Sequence, residues 1–372
     1  MIRRAYWVAG LIFAALVISK WSPQTGFTGL IRFGEKWQER RSSHLQGKPI
    51  ATVPKSSGYD GQFYASIALD PLLRSSELDQ VIDAPAYRAR RILVPAVAAV
   101  IGLGNSWLTL QAYALLNIPC WFALGWLLRR HLSGNDWQSF ARWVGCMFSI
   151  GVLDSVRQSL LDLPALLFLA LAAESQPNVE NSKSTLWLAL GNLTKESSLL
   201  GTIALHGNRL IGPTRHRGVL LPLSLAVFPL ALWALYVEQR FSGAADETSW
   251  GNFNWPLVDL FAQIKLSSAE ILRGNFDGRY TFGLLAIGGL FTQAWVVWRQ
   301  PQWSAPWWRI GAIYSLLLIF LSSWVWSGYW AACRSVLPLT ICFNLVLPIN
   351  RWFWILWIAG NLTLLHGVWR FI

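Results

Sequence analysis

Long apolar segments recur along almost the whole chain, and they limit the possible folds more than any other feature. Apolar residues form 54% of the 372 residues and charged residues only 13%, too few to cover a water-soluble globule of this size. We therefore predict an all-α, polytopic transmembrane protein of roughly ten spans, with one transmembrane domain over residues 1–372. The predicted spans are residues 5–20, 107–128, 138–153, 160–174, 186–206, 218–237, 280–298, 309–326, 331–348 and 352–368.

Arginine and lysine residues in the short loops predict the orientation, because cytoplasmic loops are enriched in both. With the N-terminus inside, charged residues such as Arg3 and Arg351 fall on the cytoplasmic side. The exceptions on the outer side are Arg157 and Arg370. Many of the 24 tryptophans lie at the ends of apolar segments, where indole rings favour the headgroup layer.

Two long polar loops, residues 21–91 and 238–279, lie outside in this orientation. They contain most of the acidic residues, so we expect the working face to be extracytoplasmic. Within these loops, residues 58–73 and 256–272 mix apolar and polar side chains at helical spacing. That pattern predicts external amphipathic helices lying along the membrane surface.

Two shorter segments leave the span count open. Residues 92–103 are apolar but short, which favours an interfacial or re-entrant helix. The charge distribution then requires residues 186–206 to enter and return, with a turn near Lys195 and Glu196. A broken hairpin of this kind is stable only inside protein or beside a wet cavity. In the alternative, both segments are ordinary crossings, and the topology after Arg209 is the same.

Several function classes are disfavoured by the sequence. The net charge of +12 comes from arginines scattered at span ends, which favours anionic lipids over nucleic acid as the counter-charge. The four cysteines lie in apolar segments without C-x-x-C spacing, and the five histidines form no H-E-x-x-H motif. Neither a disulfide framework nor a zinc site is therefore expected. No glycine-rich phosphate loop predicts a nucleotide site.

Asp60 is the main candidate for chemistry. It lies in the string Gly-Tyr-Asp-Gly-Gln-Phe-Tyr at residues 58–64, where aromatic neighbours such as Tyr59 and Tyr64 can shield a carboxylate from water. A carboxylate of this kind suits general-base catalysis, and aromatic faces suit sugar rings. The alternative is that Asp60 caps the N-terminus of a surface helix.

Isolated cations are the candidates for binding an anionic substrate. Arg88, Arg90 and Arg91 directly precede an apolar helix on the outer side, where a phosphate would explain them through bidentate hydrogen bonds. Snorkelling arginines that anchor this helix are an equal alternative. Lys195 and Arg334 lie in apolar segments, where ionisable groups are costly and typical of functional sites.

The remaining charged candidates have plain structural alternatives. Asp162 precedes Leu-Pro and is typical of a helix start, whereas Asp154 and Arg157 either pair with each other or line a cavity mouth. Glu196 is a functional residue or a member of an ion pair. Asp70, which precedes a proline, is better explained as a turn residue.

Together these residues resemble bacterial members of the GT-C glycosyltransferase superfamily, multi-span enzymes that take sugars from polyprenyl-phosphate-linked donors on the outer membrane face. The matching strings are Tyr-Asp-Gly-Gln-Phe-Tyr at 59–64, Ile-Ala-Leu-Asp-Pro at 67–71, residues 87–95, Asp-Leu-Pro-Ala at 162–165, Leu-Thr-Lys-Glu at 193–196 and residues 334–338. Two features depart from the superfamily pattern: Asp60 is a single acid where an Asp-x-Asp or Asp-Glu pair is usual, and no soluble C-terminal domain follows the spans.

The resemblance implies an inverting glycosyltransferase of the bacterial inner membrane, active in cell-envelope polysaccharide biosynthesis, with Asp60 as the catalytic base. The implied partners are a polyprenyl-phosphate-linked sugar donor, a glycan or lipid-linked acceptor and membrane lipids, without nucleic acid. No cofactor is fixed, and a divalent cation stays an open alternative. The residues expected to bind substrate are Tyr59, Gln62, Tyr64, Asp70, Arg88, Arg90, Arg91, Asp154, Arg157, Asp162, Lys195, Glu196 and Arg334.

Two rival functions are open at this point. A transporter or flippase of lipid-linked sugars would also use deep charges and a broken hairpin. A non-catalytic subunit of an envelope glycopolymer assembly complex would use its tryptophan-rich faces to pack against partner spans. A single pocket lined by Asp60, Lys195 and Arg334 would favour the enzyme.

Overall fold

The chain is mostly helical, as predicted. The structure, a computed structural model, describes residues 2–175, 182–210, 216–242 and 251–372. Helices hold 71% of the residues and strands 3%, so the all-α class is confirmed. The two short strands, β1 (Phe33–Gly34) and β2 (Thr52–Val53), pair in parallel within the first long loop.

The first half of the chain contributes one N-terminal helix, a loop with short helices, and a group of packed helices. They are α1 (Ile2–Ile18), α2 (Gly61–Leu69), α3 (Leu78–Val81), α4 (Pro85–Ala89), α5 (Leu93–Gly102), α6 (Ser106–Leu115), α7 (Asn117–His131), α8 (Trp137–Met147), α9 (Ile150–Arg157) and α10 (Asp162–Glu174). Three 3₁₀ turns lie before α2, at Thr28–Leu30, Glu35–Arg40 and Ser43–Leu45.

The second half adds longer helices and several broken ones. They are α11 (Ser182–Thr194), α12 (Ser198–Leu210), α13 (His216–Arg240), α14 (Val258–Leu272), α15 (Gly278–Arg299), α16 (Pro306–Leu318), α17 (Ser323–Ser327), α18 (Tyr329–Ser335), α19 (Leu337–Val346), α20 (Phe353–Gly360) and α21 (Leu364–Phe371). Residues 243–250 of the second long loop, including Asp246 and Glu247, lie outside the described residues.

Within the described ranges, three helices are long and apolar enough to cross a membrane: Ser106–His131, Leu221–Arg240 and Gly278–Arg299. The pair Tyr329–Ser335 and Leu337–Val346, bent by 65°, would add a fourth. The prediction of roughly ten spans is therefore not confirmed.

Polar side chains explain why several apolar segments each form two short helices instead of one long helix. The predicted span 138–153 ends one helix at Met147 and starts another at Ile150, where the hydroxyl of Ser149 donates to the carbonyl of Cys146 at 3.0 Å. Asn361 interrupts the last segment in the same way and donates to the carbonyl of Trp357 at 2.8 Å. Side-chain bonds to the backbone compete with helix continuation, and an apolar composition does not reveal them.

The chain also breaks at the predicted turn near Lys195. The amide of Asn192 lies 3.3 Å from the hydroxyl of Thr202, ten residues further on, so α11 and α12 turn back against each other. The short helix predicted at 92–103 is α5, and Leu103, the residue that caps its C-terminal end, has a φ of 48°. How these elements lie relative to a bilayer stays a prediction.

The expected surface helix in residues 58–73 is wrong, because α2 is buried on every side. All residues from Gly61 to Ala68 are buried. The polar side chains on α2 have internal partners: Gln62 bonds to the amide of Gly34 and the carbonyl of Ser57, and Ser66 donates to the carbonyl of Gln62. With its polar groups satisfied, this short apolar helix is stable in the core.

Gly61 lets α2 begin deep in the structure. A Cβ there would lie 2.2 Å from the carbonyl oxygen of Gln158 and 2.9 Å from that of Ile31. Only glycine allows this approach, and it fixes Asp60 next to the start of α2.

Candidate functional site

One cavity of about 940 Å³ brings most of the candidate residues together. Its walls come from the start of α2, from α4, from the turn between α11 and α12, and from α18. Asp60, Lys195 and Arg334, which are far apart in the sequence, all line it. The other predicted residues in its lining are Tyr59, Tyr64, Arg88, Arg90, Arg91, Asp162 and Glu196.

Asp60 contributes a partly buried carboxylate to this cavity. Its side chain is 32% exposed and makes no capping hydrogen bond to α2, so the capping alternative is not favoured. Oδ1 accepts a hydrogen bond from Nη2 of Arg88 at 3.0 Å. Among the described residues, Oδ2 of Asp60 accepts none, which leaves this oxygen available for a ligand.

Arg88 is fixed by a second acid that the sequence analysis did not single out. Asp83 accepts from Nε of Arg88 at 3.0 Å and from Nη2 at 2.9 Å, in a bidentate pair. The guanidinium also lies over the ring of Phe63, 5.3 Å from its centroid. Asp83 therefore holds Arg88 in the orientation that reaches Asp60.

The electrostatic balance keeps Asp60 ionised. Burial raises the pKa of its carboxyl, but the charges of Arg88 and Arg334 and the hydrogen bond from Arg88 lower it more, so the net pKa lies below the ordinary value. The charged form is therefore present at neutral pH. A carboxylate in this state can accept a proton, although the arginines weaken it as a base.

Arg91 joins two walls of the cavity. Its Nη1 donates to the hydroxyl of Tyr64 at 2.6 Å, and its Nε donates to Oε2 of Glu196 at 2.8 Å. The other carboxylate oxygen of Glu196 is buried and has no hydrogen-bond partner among the described residues. Glu196 therefore forms a cross-helix ion pair, the structural alternative of the sequence analysis, and also lines the cavity.

Asp162, also in the cavity lining, holds two of the cations. Its Oδ1 accepts from Nζ of Lys195 at 2.5 Å, and its Oδ2 accepts from Nη1 of Arg334 at 3.1 Å. Nη2 of Arg334 donates to the hydroxyl of Tyr59 at 2.7 Å, and the indole of Trp330 donates to the same hydroxyl at 3.0 Å. Burial raises the pKa of Tyr59 to about 12, against the opposing charge of Arg334, so the phenol stays neutral.

Four residues predicted to bind substrate do not line the cavity. Gln62 bonds to backbone groups beside α2, as described above, and Asp70 accepts from the amide of Ser75 at 2.7 Å in the turn after α2. Asp154 and Arg157 pair with each other at 3.3 Å behind the cavity wall. These contacts are structural, so the prediction that these four residues bind substrate in the cavity is corrected.

The lining also includes residues that sequence reasoning missed. Tyr87, Asn252 and Trp324 come from three different parts of the chain. The side-chain amide of Asn252 lies 3.3 Å from the hydroxyl of Tyr87, and its backbone carbonyl accepts from the amide of Ser322, so the second long loop forms part of the wall. Tyr87 precedes three arginines and could have been found from that position, whereas Asn252 and Trp324 carry no comparable signal.

An apolar groove adjoins the cavity. It has a volume of about 530 Å³ and shares Arg90 and Glu196 with the main cavity. Its remaining lining is Val227, Leu230, Ala231, Ala234, Leu235 and Glu238, all on α13. An apolar ligand segment would fit in this groove, beside the charged cavity.

Metal ligands do not cluster in the part of the chain that the structure describes: no three His, Cys, Asp or Glu side chains come together as a cation site requires. A divalent cation stays an open alternative. Comparisons of the chain with family models, curated proteins and solved structures returned no match.

Proposed function

We propose that this chain is a membrane glycosyltransferase of the GT-C type, which transfers a sugar from a polyprenyl-phosphate-linked donor to a cell-envelope acceptor. Its place would be the bacterial inner membrane, with the active face extracytoplasmic. The observation that carries the proposal is the common cavity of Asp60, Lys195 and Arg334. A base and the cations for a leaving phosphate are then within reach of one substrate.

The cavity contains the groups that an inverting transfer needs. The oxygen of an acceptor hydroxyl attacks the anomeric carbon while the bond from that carbon to the phosphate oxygen breaks, and the phosphate leaves with the electron pair. Asp60 takes the hydroxyl proton through its unpaired Oδ2. Lys195 and Arg334 stabilise the charge that grows on the phosphate.

The neighbouring groove supports a lipid-linked donor over a soluble one. An isoprenoid chain is apolar and would occupy the groove on α13, while its phosphate would lie near Arg90 at the junction of groove and cavity. Burial of such a chain contributes roughly 25 cal/mol per Å² of apolar surface. The rest of the donor would extend toward Asp60.

One observation favours the transporter alternative. Lys195 lies at the break between α11 and α12, and Arg334 lies just before the 65° bend between α18 and α19. Charges at broken helices are typical of transporters that rearrange around a substrate. The third candidate, a non-catalytic subunit, gains nothing from these observations, because a cavity does lie beside Asp60.

A bond-cleavage assay in detergent separates the two remaining functions. The purified chain is mixed with a set of synthetic polyprenyl-phosphate sugars and an envelope extract as acceptor, and free polyprenyl phosphate is measured. A transferase releases it without any membrane compartment. A transporter leaves the sugar–phosphate bond intact, so lack of release by a folded preparation would contradict the proposal.

A further inference from the structure

A second group of arginines lies behind the cavity wall, and the transfer mechanism does not use it. Its members are Arg32, Arg157 and Arg370, which come from the first long loop and from the ends of α9 and α21. Two of them, Arg157 and Arg370, are the outer-side exceptions to the predicted charge distribution. The Arg370 guanidinium lies 4.2 Å from the ring centroid of Trp330, whose indole donates to the hydroxyl of Tyr59 in the cavity wall.

The group has too little negative charge for its burial. Asp154, whose side chain is 2% exposed, lies 3.3 Å from Arg157 and 3.7 Å from Arg370. The same carboxylate also lies 3.7 Å from Arg334, so one acid is shared by three guanidinium groups. Within the described ranges, no other acid pairs with Arg157 or Arg370.

Hydrogen bonding in the group is incomplete as well. Nη1 of Arg370 is buried without a partner among the described residues. The half-buried guanidinium of Arg32 forms no hydrogen bond or ion pair in the described part of the chain. Buried donors without partners lower the stability of the fold, and more so when they are charged.

Backbone packing keeps these arginines together. The carbonyls of Ile31 and Gln158 both approach Gly61, so Arg32 and Arg157, each one residue away, lie on adjoining segments. Burial and the charges of Arg32 and Arg370 lower the pKa of Arg157 to about 10, against the opposing charge of Asp154. Burial and the charge of Arg370 also lower the pKa of Arg32, again against the opposing charge of Asp154. The arginines thus repel one another in a fixed arrangement that a bound anion would relieve.

We propose that Arg32, Arg157 and Arg370 form a second phosphate-binding site, separate from the cavity that contains Asp60. Guanidinium groups bind phosphate oxygens through two parallel hydrogen bonds, which matches the unused donors of this group. The phosphate belongs to a soluble or substrate-borne phosphate ester or to an anionic lipid headgroup. This site does not depend on the transferase activity.

The test measures binding by thermal unfolding of the full chain in phosphatidylcholine nanodiscs. Inorganic phosphate is titrated at constant ionic strength, and we expect it to raise the unfolding midpoint of the wild type. The double variant Arg32→Gln/Arg370→Gln should bind with about tenfold lower apparent affinity. Arg74→Gln, an exposed arginine of the same loop, is the matched control and should respond like the wild type.

Two further comparisons decide the outcome. Without phosphate, Arg32→Gln should unfold at or above the wild-type temperature, because it removes a charge whose burial is only partly offset by the attraction of Asp154. This single variant also replaces the double one if the latter fails to fold. Nanodiscs that contain phosphatidylglycerol test the lipid headgroup as the ligand. The headgroup is identified if these nanodiscs stabilise the chain while inorganic phosphate does not, and if the effect requires Arg32 and Arg370. A phosphate response lost in Arg88→Gln but kept in Arg32→Gln would overturn the site, as would equal responses of all variants.

Discussion

At the scale of single residues, the pair between Asp60 and Arg88 sets the acid–base behaviour of the cavity. Because Arg88 lowers the pKa of Asp60 in the folded chain, the ionised carboxylate stabilises the fold at pH values above its unfolded pKa of about 3.9. That contribution disappears as the pH falls through the lower folded value.

Removal of Arg88 should therefore shift the activity profile. In Arg88→Gln the pKa of Asp60 rises, because burial is opposed by fewer positive charges. We expect the acid limb of the plot of kcat/KM against pH to move to higher pH. Arg74→Gln, on the exposed surface of the same loop, provides the control. An unmoved limb in Arg88→Gln would show that Asp60 is not the titrating base.

Lys195 and Arg334 should affect use of the donor more than the fold. Lys195→Ala and Arg334→Ala each remove one charged contact to a leaving phosphate, which should raise the KM for the lipid-linked donor about tenfold or more. Each variant leaves Asp162 one cationic partner, so the buried acid stays paired. Lys265→Ala and Arg273→Ala are the matched controls, because both side chains are exposed. Wild-type KM values in both cavity variants would exclude a phosphate role.

The sequence singled out most of the charged residues that line the cavity, but not all of their neighbours. Asp60 and Tyr64 are four positions apart, so helix geometry turns both toward the cavity, whereas Gln62 lies between them on the other side. A sequence motif locates the site along the chain, but it does not show which of its side chains face the cavity. Asp83 was missed because its role depends on the direction of the Arg88 side chain, which no sequence pattern encodes.

At the scale of elements, the position of α2 decides whether the cavity exists. The close approach at Gly61 places this helix against the segments that contain Ile31 and Gln158. The residues of α2 follow an amphipathic pattern, yet its polar side chains form hydrogen bonds inside the protein. Burial of a helix with polar side chains depends on partners from distant segments, such as Gly34, and is not visible in the local pattern.

Gly61→Ala should therefore destabilise the chain. The added methyl group would meet a carbonyl oxygen at 2.2 Å, and overpacking of this kind costs about 1–3 kcal/mol. Thermal unfolding should show a lower midpoint and a loss of activity. Gly10→Ala in α1 is the comparison, since a Cβ there meets nothing within 4 Å. Equal midpoints for the two variants would contradict the packing described for α2.

At the scale of the whole molecule, the charge distribution predicts that the cavity opens on the extracytoplasmic side of a membrane. The fold has three helices of spanning length within the described residues, and the cavity lies where the two long loops meet α18. The number of apolar segments overestimated the number of long helices because internal Ser and Asn residues break them. Local hydropathy predicts that a segment is buried, but a break depends on a few side-chain bonds.

Labelling of cysteines in intact cells would establish the orientation. We expect Lys48→Cys in the first long loop to react with a membrane-impermeant maleimide, and Arg351→Cys to react only after permeabilisation; both positions are exposed. Of the native cysteines, Cys146, Cys333 and Cys342 are buried and Cys120 is partly buried, so the background should be low. The reverse labelling pattern would place the cavity on the cytoplasmic side.

The central claim is that the Asp60 carboxylate removes the acceptor proton, and the most direct measurement is sugar transfer by Asp60→Asn at saturating donor. An amide keeps the size of the side chain but does not accept the proton, so we expect transfer to fall by roughly 10²- to 10⁴-fold. Donor affinity should stay close to wild type, and Asp70→Asn, outside the cavity, should be fully active. Wild-type transfer by Asp60→Asn would contradict the account.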